Sequence, residues 1–154
     1  DMSNAGGYYI LWPREPQKTA AKLLRWFKKT YRLKRLGLII TDSRSMPLRR
    51  GVVGFALAWA GFEPLYDYRG TKDLFGRKFA ASQANIADSL ASAAVLAMGE
   101  GKEQTPLAII RGAPRIQTPQ KKRGKYKSLI VPMREDIFAP FLKSVRWRKG
   151  GGTS

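Results

Sequence analysis

The chain contains no cysteine and no histidine. The first absence removes any disulfide framework and gives no sign of an oxidising compartment. Together they exclude Cys–His and Ser–His nucleophilic systems and zinc sites with nitrogen or sulfur ligands. A resident metal would have to sit on oxygen, which favours magnesium or manganese. Acid–base work would fall to carboxylates, lysine or tyrosine. Long apolar runs are missing too. The longest, residues 52–61, is about half the roughly 18 residues of a membrane span. No secretory signal is read at the start, so the expectation is a cytoplasmic protein with no membrane association.

Acidic residues are scarce: 11 Asp and Glu stand against 29 Lys and Arg, a formal charge of +18. Such a chain attracts polyanions. A nucleotide, an anionic metabolite, a nucleic acid or an acidic partner all satisfy that requirement, and composition does not choose among them. Apolar residues make up 44% of the 154 positions, enough for the core of one domain.

The order of segments predicts an α+β domain with a mixed sheet and packed helices. Residues 6–12 (GGYYILW) read as a short buried strand stopped by Pro13. Pro16 opens a helix whose apolar face is Ala20, Leu23, Leu24, Phe27 and Tyr31. Residues 36–41 (LGLIIT) read as a buried strand with Asp42 directly after it, residues 43–51 as a basic turn, and residues 52–61 as a second buried segment. Residues 63–75 form loop and short extended pieces. Residues 82–98 are the clearest helix, with Ser82 as N-cap, Ile86, Leu90, Ala93, Ala94 and Ala97 inward, and Asn85, Asp88, Ser89 and Ser92 on a polar face. Gly99 ends it. Residues 107–110 are expected as another buried strand, 111–127 as a mobile basic loop, and 128–131 as a possible strand. Ile137 to Val145 suggest a terminal helix restarted at Pro140, and 150–154 a flexible tail after a domain spanning 1–149.

Asp42 is the leading candidate for chemistry, because a carboxylate just after a buried strand projects where α/β proteins place ligands. The alternative is a turn-forming aspartate. In the loop after the long helix, Gly99 and Gly101 expose backbone N–H groups and Lys102 adds charge, a combination suited to phosphate. Glu100 between them could reach a metal. The alternative is a solvated connector. Arg44, Arg49 and Arg50 could hold an anion or simply form a basic turn. Asp88 reads as a helix polar-face residue. Basic clusters at 28–35, 121–127 and 146–149, interleaved with Trp26, Tyr31, Tyr126 and Trp147, leave a nucleic-acid-binding module as a competing reading.

Four stretches occur in one order: DMSN at the start, GLIITDSRSMPLRRGVVGFALAWAG, DYRGTKDLFGRKF, and IADSLASAAVLAMGEGKEQTPLAIIRG. In these the chain resembles the coenzyme F-420-0:L-glutamate ligase family from residue 1 to about 112. GYYILWP and MGEGKEQTPLAII look most like its subgroup of folate-metabolism γ-glutamate ligases. The resemblance implies a GTP-dependent ligase that joins L-glutamate to an anionic acceptor, a deazaflavin coenzyme or a folate-like molecule. It implies two divalent cations, manganese or magnesium, on Asp1, Asp42, Ser43 and Glu100. It implies nucleotide contacts from Asn4 and from Met98, Gly99, Glu100, Gly101, Lys102, Glu103, Gln104 and Thr105. Arg49, Arg50 or Lys102 are then candidates to stabilise the leaving charge. Family members carry a segment ahead of D-x-S-N that supplies further nucleotide contacts. The expectation is therefore that this chain carries the C-terminal portion of the fold, pairs with such a segment or forms a homodimer, and ligates poorly alone. A non-catalytic partner chain of the same family is the remaining alternative. The basic stretch PRIQTPQKKRGKYK has no counterpart in the resemblance.

Overall fold

A computed structural model describes residues 6–119 and 128–146. The elements run α1 (Pro16–Thr30), β1 (Leu38–Ser45), β2 (Val52–Ala60), β3 (Leu65–Asp67), β4 (Gln83–Asn85), α2 (Ile86–Met98), a 3-10 turn (Met133–Glu135) and α3 (Ala139–Ser144). The α+β class holds. The expected mixed sheet does not: there are two two-stranded antiparallel sheets, β1–β2 and β3–β4. The short turn between β1 and β2 permits only antiparallel pairing, since a parallel return needs a crossover of a dozen or more residues.

α1 and α2 both pack on the β1–β2 hairpin. The core is Ala56 and Trp59 from β2, Phe62, and Ala87 and Ala91 from α2, with Ile39, Ile86 and Leu129 against it. Along β2 the register jumps from Ile40–Ala58 to Thr41–Ala56, so Leu57 is an extra residue. Such a bulge re-aims the side chains beside it, and it lies one position before Asp42.

The outer edge of β2 is closed by side chains rather than by a third strand. Ser92 Oγ donates to the Gly54 carbonyl at 2.7 Å, Asp88 Oδ1 accepts from the Ala56 N–H at 2.9 Å, and Gln17 Oε1 accepts from the Trp59 N–H at 3.1 Å. An open edge would leave these backbone groups unpaired. Asp88 and Ser92 therefore turn toward the sheet, correcting the outward polar face expected of them. The buried stripe of α2 is Ala87 and Ala91, whereas Ala93 and Ala97 are exposed. Close approach decides this face. A Cβ on Gly54 would lie 2.7 Å from the Ala91 carbonyl oxygen and 2.6 Å from Val95 Cγ2, so the helix packs through its smallest residues.

α2 also starts later than expected. Gln83–Asn85 pairs with β3, the Pro64 carbonyl accepts from the Ile86 and Ala87 N–H groups, and Asn85, not Ser82, caps the helix through the Asp88 N–H. Residues 6–12 and 107–110 are not strands. Leu11 is 84% exposed and Ile109 77%. An apolar run signals a surface able to be buried, but a strand also needs a ladder for its backbone, and neither run joins a sheet among the described residues. Residues 128–131 likewise form no strand. β2 is covered over most of its length, while Val52 and Val53 at its start remain exposed. No helix among the described residues is long and apolar enough to cross a membrane.

Candidate active site

β1 runs through Asp42 to Ser45, four residues farther than expected, so Asp42 and Ser43 stand within a strand rather than after one. The Asp42 carboxylate is held at both oxygens. Its Oδ1 accepts from the Ser43 N–H at 2.8 Å, and its Oδ2 accepts from the Trp12 indole N–H. Across the sheet Asp42 pairs with Phe55.

α2 ends at Met98, and Gly99 turns the chain with φ 82° and ψ 169°, a backbone region essentially restricted to glycine. The loop that follows is tied to itself. The Gly101 N–H donates to Glu103 Oε2 at 2.8 Å, and the Thr105 hydroxyl donates to the Met98 carbonyl. This geometry returns Glu100 to β1, where Ser43 Oγ donates to Glu100 Oε2 at 3.1 Å.

The result is an open cavity of about 540 Å³. Thr41, Asp42 and Ser43 form one wall; Val95 and Met98 form its floor; Gly99, Glu100, Gly101, Glu103, Gln104, Thr105 and Pro106 form the other wall. A second cavity of about 420 Å³ adjoins it, sharing Val95, Gly99 and Glu100 and extending over Val52, Val53 and Leu96. The first has oxygen donors that suit a cation; the Gly99 and Gly101 N–H groups expected to face phosphate are instead taken by the Val95 carbonyl and by Glu103 Oε2, both at 2.8 Å. The second is lined mainly by apolar side chains.

The expected site residues divide into three groups. Asp42, Ser43, Glu100 and the loop from Met98 to Thr105, Lys102 excepted, converge on one cavity. Arg49 and Arg50 lie in the hairpin turn before β2, and neither lines it. Arg44 instead stacks over Phe55 at 5.1 Å and faces Asp88 at 4.0 Å. Asp1 and Asn4, the 121–127 cluster, Trp147 and residues 150–154 lie outside the described residues. Trp12 joins the site without any signal in the sequence: the apolar character of its run predicts only a strand, and nothing there points to its bond to a carboxylate 30 positions away.

An oxygen-only donor set fits a hard divalent cation in kind. Asp42, Ser43 and Glu100 supply two carboxylates and a hydroxyl. Among the described residues no cluster of three acidic side chains is close enough to hold a metal.

Residues 1–112 match the family described as F420-0:Gamma-glutamyl ligase. The chain belongs to that family. It is 41% identical over 138 residues to a coenzyme F420:L-glutamate ligase of Methanocaldococcus jannaschii, covering 90% of this chain and 53% of the relative. The corresponding protein of Methanopyrus kandleri is 41% identical over 143 residues, 90% and 55% of the two chains. That of Methanothermobacter thermautotrophicus is 38% identical over 126 residues, 82% and 49%. The chain thus spans about half the length of the curated relatives it matches. The matched region of this F420-0:gamma-glutamyl ligase member includes every residue lining the first cavity.

Proposed function

We propose that this chain carries the metal- and nucleotide-binding half of a GTP-dependent γ-glutamyl ligase that joins L-glutamate to the carboxylate of a deazaflavin coenzyme. The observation that carries the reading is the convergence of Asp42, Ser43 and Glu100 on one cavity walled by the Met98 to Thr105 loop. The names of the relatives favour the deazaflavin acceptor; a folate-like acceptor is the finer alternative within the same chemistry.

The reaction requires an activated carboxylate. An acceptor oxygen attacks the γ-phosphorus of GTP and GDP leaves, giving an acyl phosphate. The glutamate amine then attacks the acyl carbon, inorganic phosphate departs, and the amine loses a proton as the amide forms. In-line phosphoryl transfer depends on positioning and charge neutralisation more than on a protein nucleophile. A chain without cysteine or histidine is compatible with that demand. One or two cations held by Asp42, Ser43 and Glu100, with Asp1 as the expected further ligand, would neutralise phosphate charge when bound. Ser43 orients Glu100, and the Ser43 and Trp12 N–H groups orient Asp42. Lys102 adds positive charge to the loop although it does not line the cavity, and the adjoining apolar cavity offers a surface for a flat ring. Arg49 and Arg50 have no role in this reading, because they stand in the hairpin turn.

Dimerisation belongs to the same proposal. Tyr8, Leu11, Leu107, Ile109 and Ile130 leave apolar surface of the kind that a second copy covers, and sedimentation at two concentrations reads it. Turnover of GTP, glutamate and the unglutamylated deazaflavin in manganese, followed by product mass, tests the activity. A folate acceptor in a parallel reaction separates the alternatives.

A second reading has one observation in its favour. The sequence holds no acid from Pro16 to Thr41, and Trp26 and Tyr31 stand half exposed at the basic end of α1. Single-stranded nucleic acid binds such surfaces with a steep dependence on salt, and that slope distinguishes it from nucleotide binding in the cavity.

A further inference from the structure

We infer that Trp12 is a positioning residue for the Asp42 carboxylate, and that its indole reports cation binding at that carboxylate. The inference rests on the proposed metal site.

Asp42 presents two oxygens, each with two lone pairs. The Ser43 backbone N–H occupies one lone pair of Oδ1, and the Trp12 indole N–H occupies one of Oδ2. One lone pair on each oxygen is left. Two donors fix the plane of the carboxylate, so those remaining pairs have a set direction before a cation arrives. The Ser43 donor is adjacent in sequence and constrains little beyond the local turn. The Trp12 donor comes from 30 positions away and sets the rotation of the side chain from outside the strand.

Trp12 is itself held. Its ring meets Phe55 edge-on, with centroids 6.1 Å apart and planes at 61°. Phe55 is the ladder partner of Asp42, so one strand pair carries both the carboxylate and the ring that seats its donor. Arg44 lies over the same Phe55 ring at 5.1 Å. Pro13 holds Trp12 in extended backbone. At 59% exposure the indole contributes little to the core, which separates its effect on Asp42 from any effect on folding. Partners of this kind, one bond behind a metal ligand, commonly change metal affinity ten- to a hundredfold when removed.

The test uses the full chain and Mn²⁺ alone, with free ion counted by electron paramagnetic resonance and tryptophan emission recorded in parallel. Five proteins are compared: wild type, Trp12→Phe, Trp12→Leu, Asp42→Asn and the double variant of Trp12→Phe with Asp42→Asn. Trp12→Phe keeps an aromatic ring for Phe55 and removes the N–H. Trp12→Leu serves as a second variant, and thermal melts check that each is folded. We expect Trp12→Phe to weaken Mn²⁺ binding about tenfold, and the double variant to bind no more weakly than Asp42→Asn. We also expect a component of Mn²⁺-induced quenching to vanish with Trp12. Unchanged affinity in both Trp12 variants, beside a clear loss in Asp42→Asn, overturns the positioning role and leaves the metal site standing. A full tenfold loss on adding Trp12→Phe to Asp42→Asn overturns it as well, because the effect would then bypass Asp42. Absence of Asp42-dependent Mn²⁺ binding in the wild type overturns both.

Discussion

Ser43 and Glu100, 57 positions apart in the chain, meet at 3.1 Å across the mouth of a cavity. The strand and the helix-ending loop that carry them share no sequence motif. What joins them is the packing of α2 on β2, and the site is as good as that packing. Ser43→Ala removes the hydroxyl that orients Glu100 and that would meet the cation. Mn²⁺ affinity is expected to fall several-fold, while unfolding free energy changes by no more than about 0.5 kcal/mol, as for substitutions away from a packed core, because Ser43 is only half-buried. Titration and urea unfolding on the same sample check both halves.

Asp42→Asn goes further, because it removes the charge itself. An amide keeps one acceptor oxygen, so either the Ser43 N–H or the Trp12 N–H faces an NH₂ group. Cation binding should drop more than tenfold, with a stability change of about 1 kcal/mol at most, in the range of a single hydrogen bond. Calorimetry with Mn²⁺ and a thermal melt separate the two effects.

Gly54→Ala should act in the opposite way, on the frame before the site. Its Cβ would meet the Ala91 carbonyl oxygen at 2.7 Å, a backbone atom that cannot swing aside. α2 must shift, at a cost of about 1–3 kcal/mol for an overpacked contact. Chemical denaturation is expected to show that loss, and Mn²⁺ binding is expected to weaken with it because Glu100 follows the end of α2.

Asp88→Ala strips the Ala56 N–H and the Asn85 side chain of their acceptor at once. Leaving such groups unpaired in a part-buried position costs about 1–3 kcal/mol. Ser89→Ala, one residue along and exposed, is the control and should stay within about 0.5 kcal/mol. Equal effects of the two variants would show that the β2 edge is not held as described.

Much of the frame was legible from residue patterns. Pro16 marked the first turn of α1, Gly99 marked the end of α2, and the apolar runs at 36–41 and 52–61 marked two strands but not their antiparallel pairing. The directions of side chains were less accessible. α2 turned its small residues to the sheet because Gly54 allowed close approach, and the edge of β2 captured Asp88 and Ser92. A count of apolar residues favours a neighbouring face, of which Ile86 does pack against the core. Residues 6–12 and 107–110 had the composition of buried strands and no partner strand among the described residues. For the site, Asp42 followed from its place after an apolar run. Glu100 gained weight only through the family motif, since spacing alone equally suited a solvated loop. Trp12 had no signal at all: its importance lies in a bond that only the folded chain creates.

The central claim is that the cavity between Asp42 and Glu100 is a metal-dependent nucleotide site. Its carboxylates repel phosphate unless a cation intervenes. Calorimetric titration of GTP into the full chain, with Mn²⁺ and then with chelator, tests this most directly. The expected result is saturable binding in Mn²⁺ that is lost in chelator and in Asp42→Asn. Equal GTP affinity with and without the cation would contradict the claim.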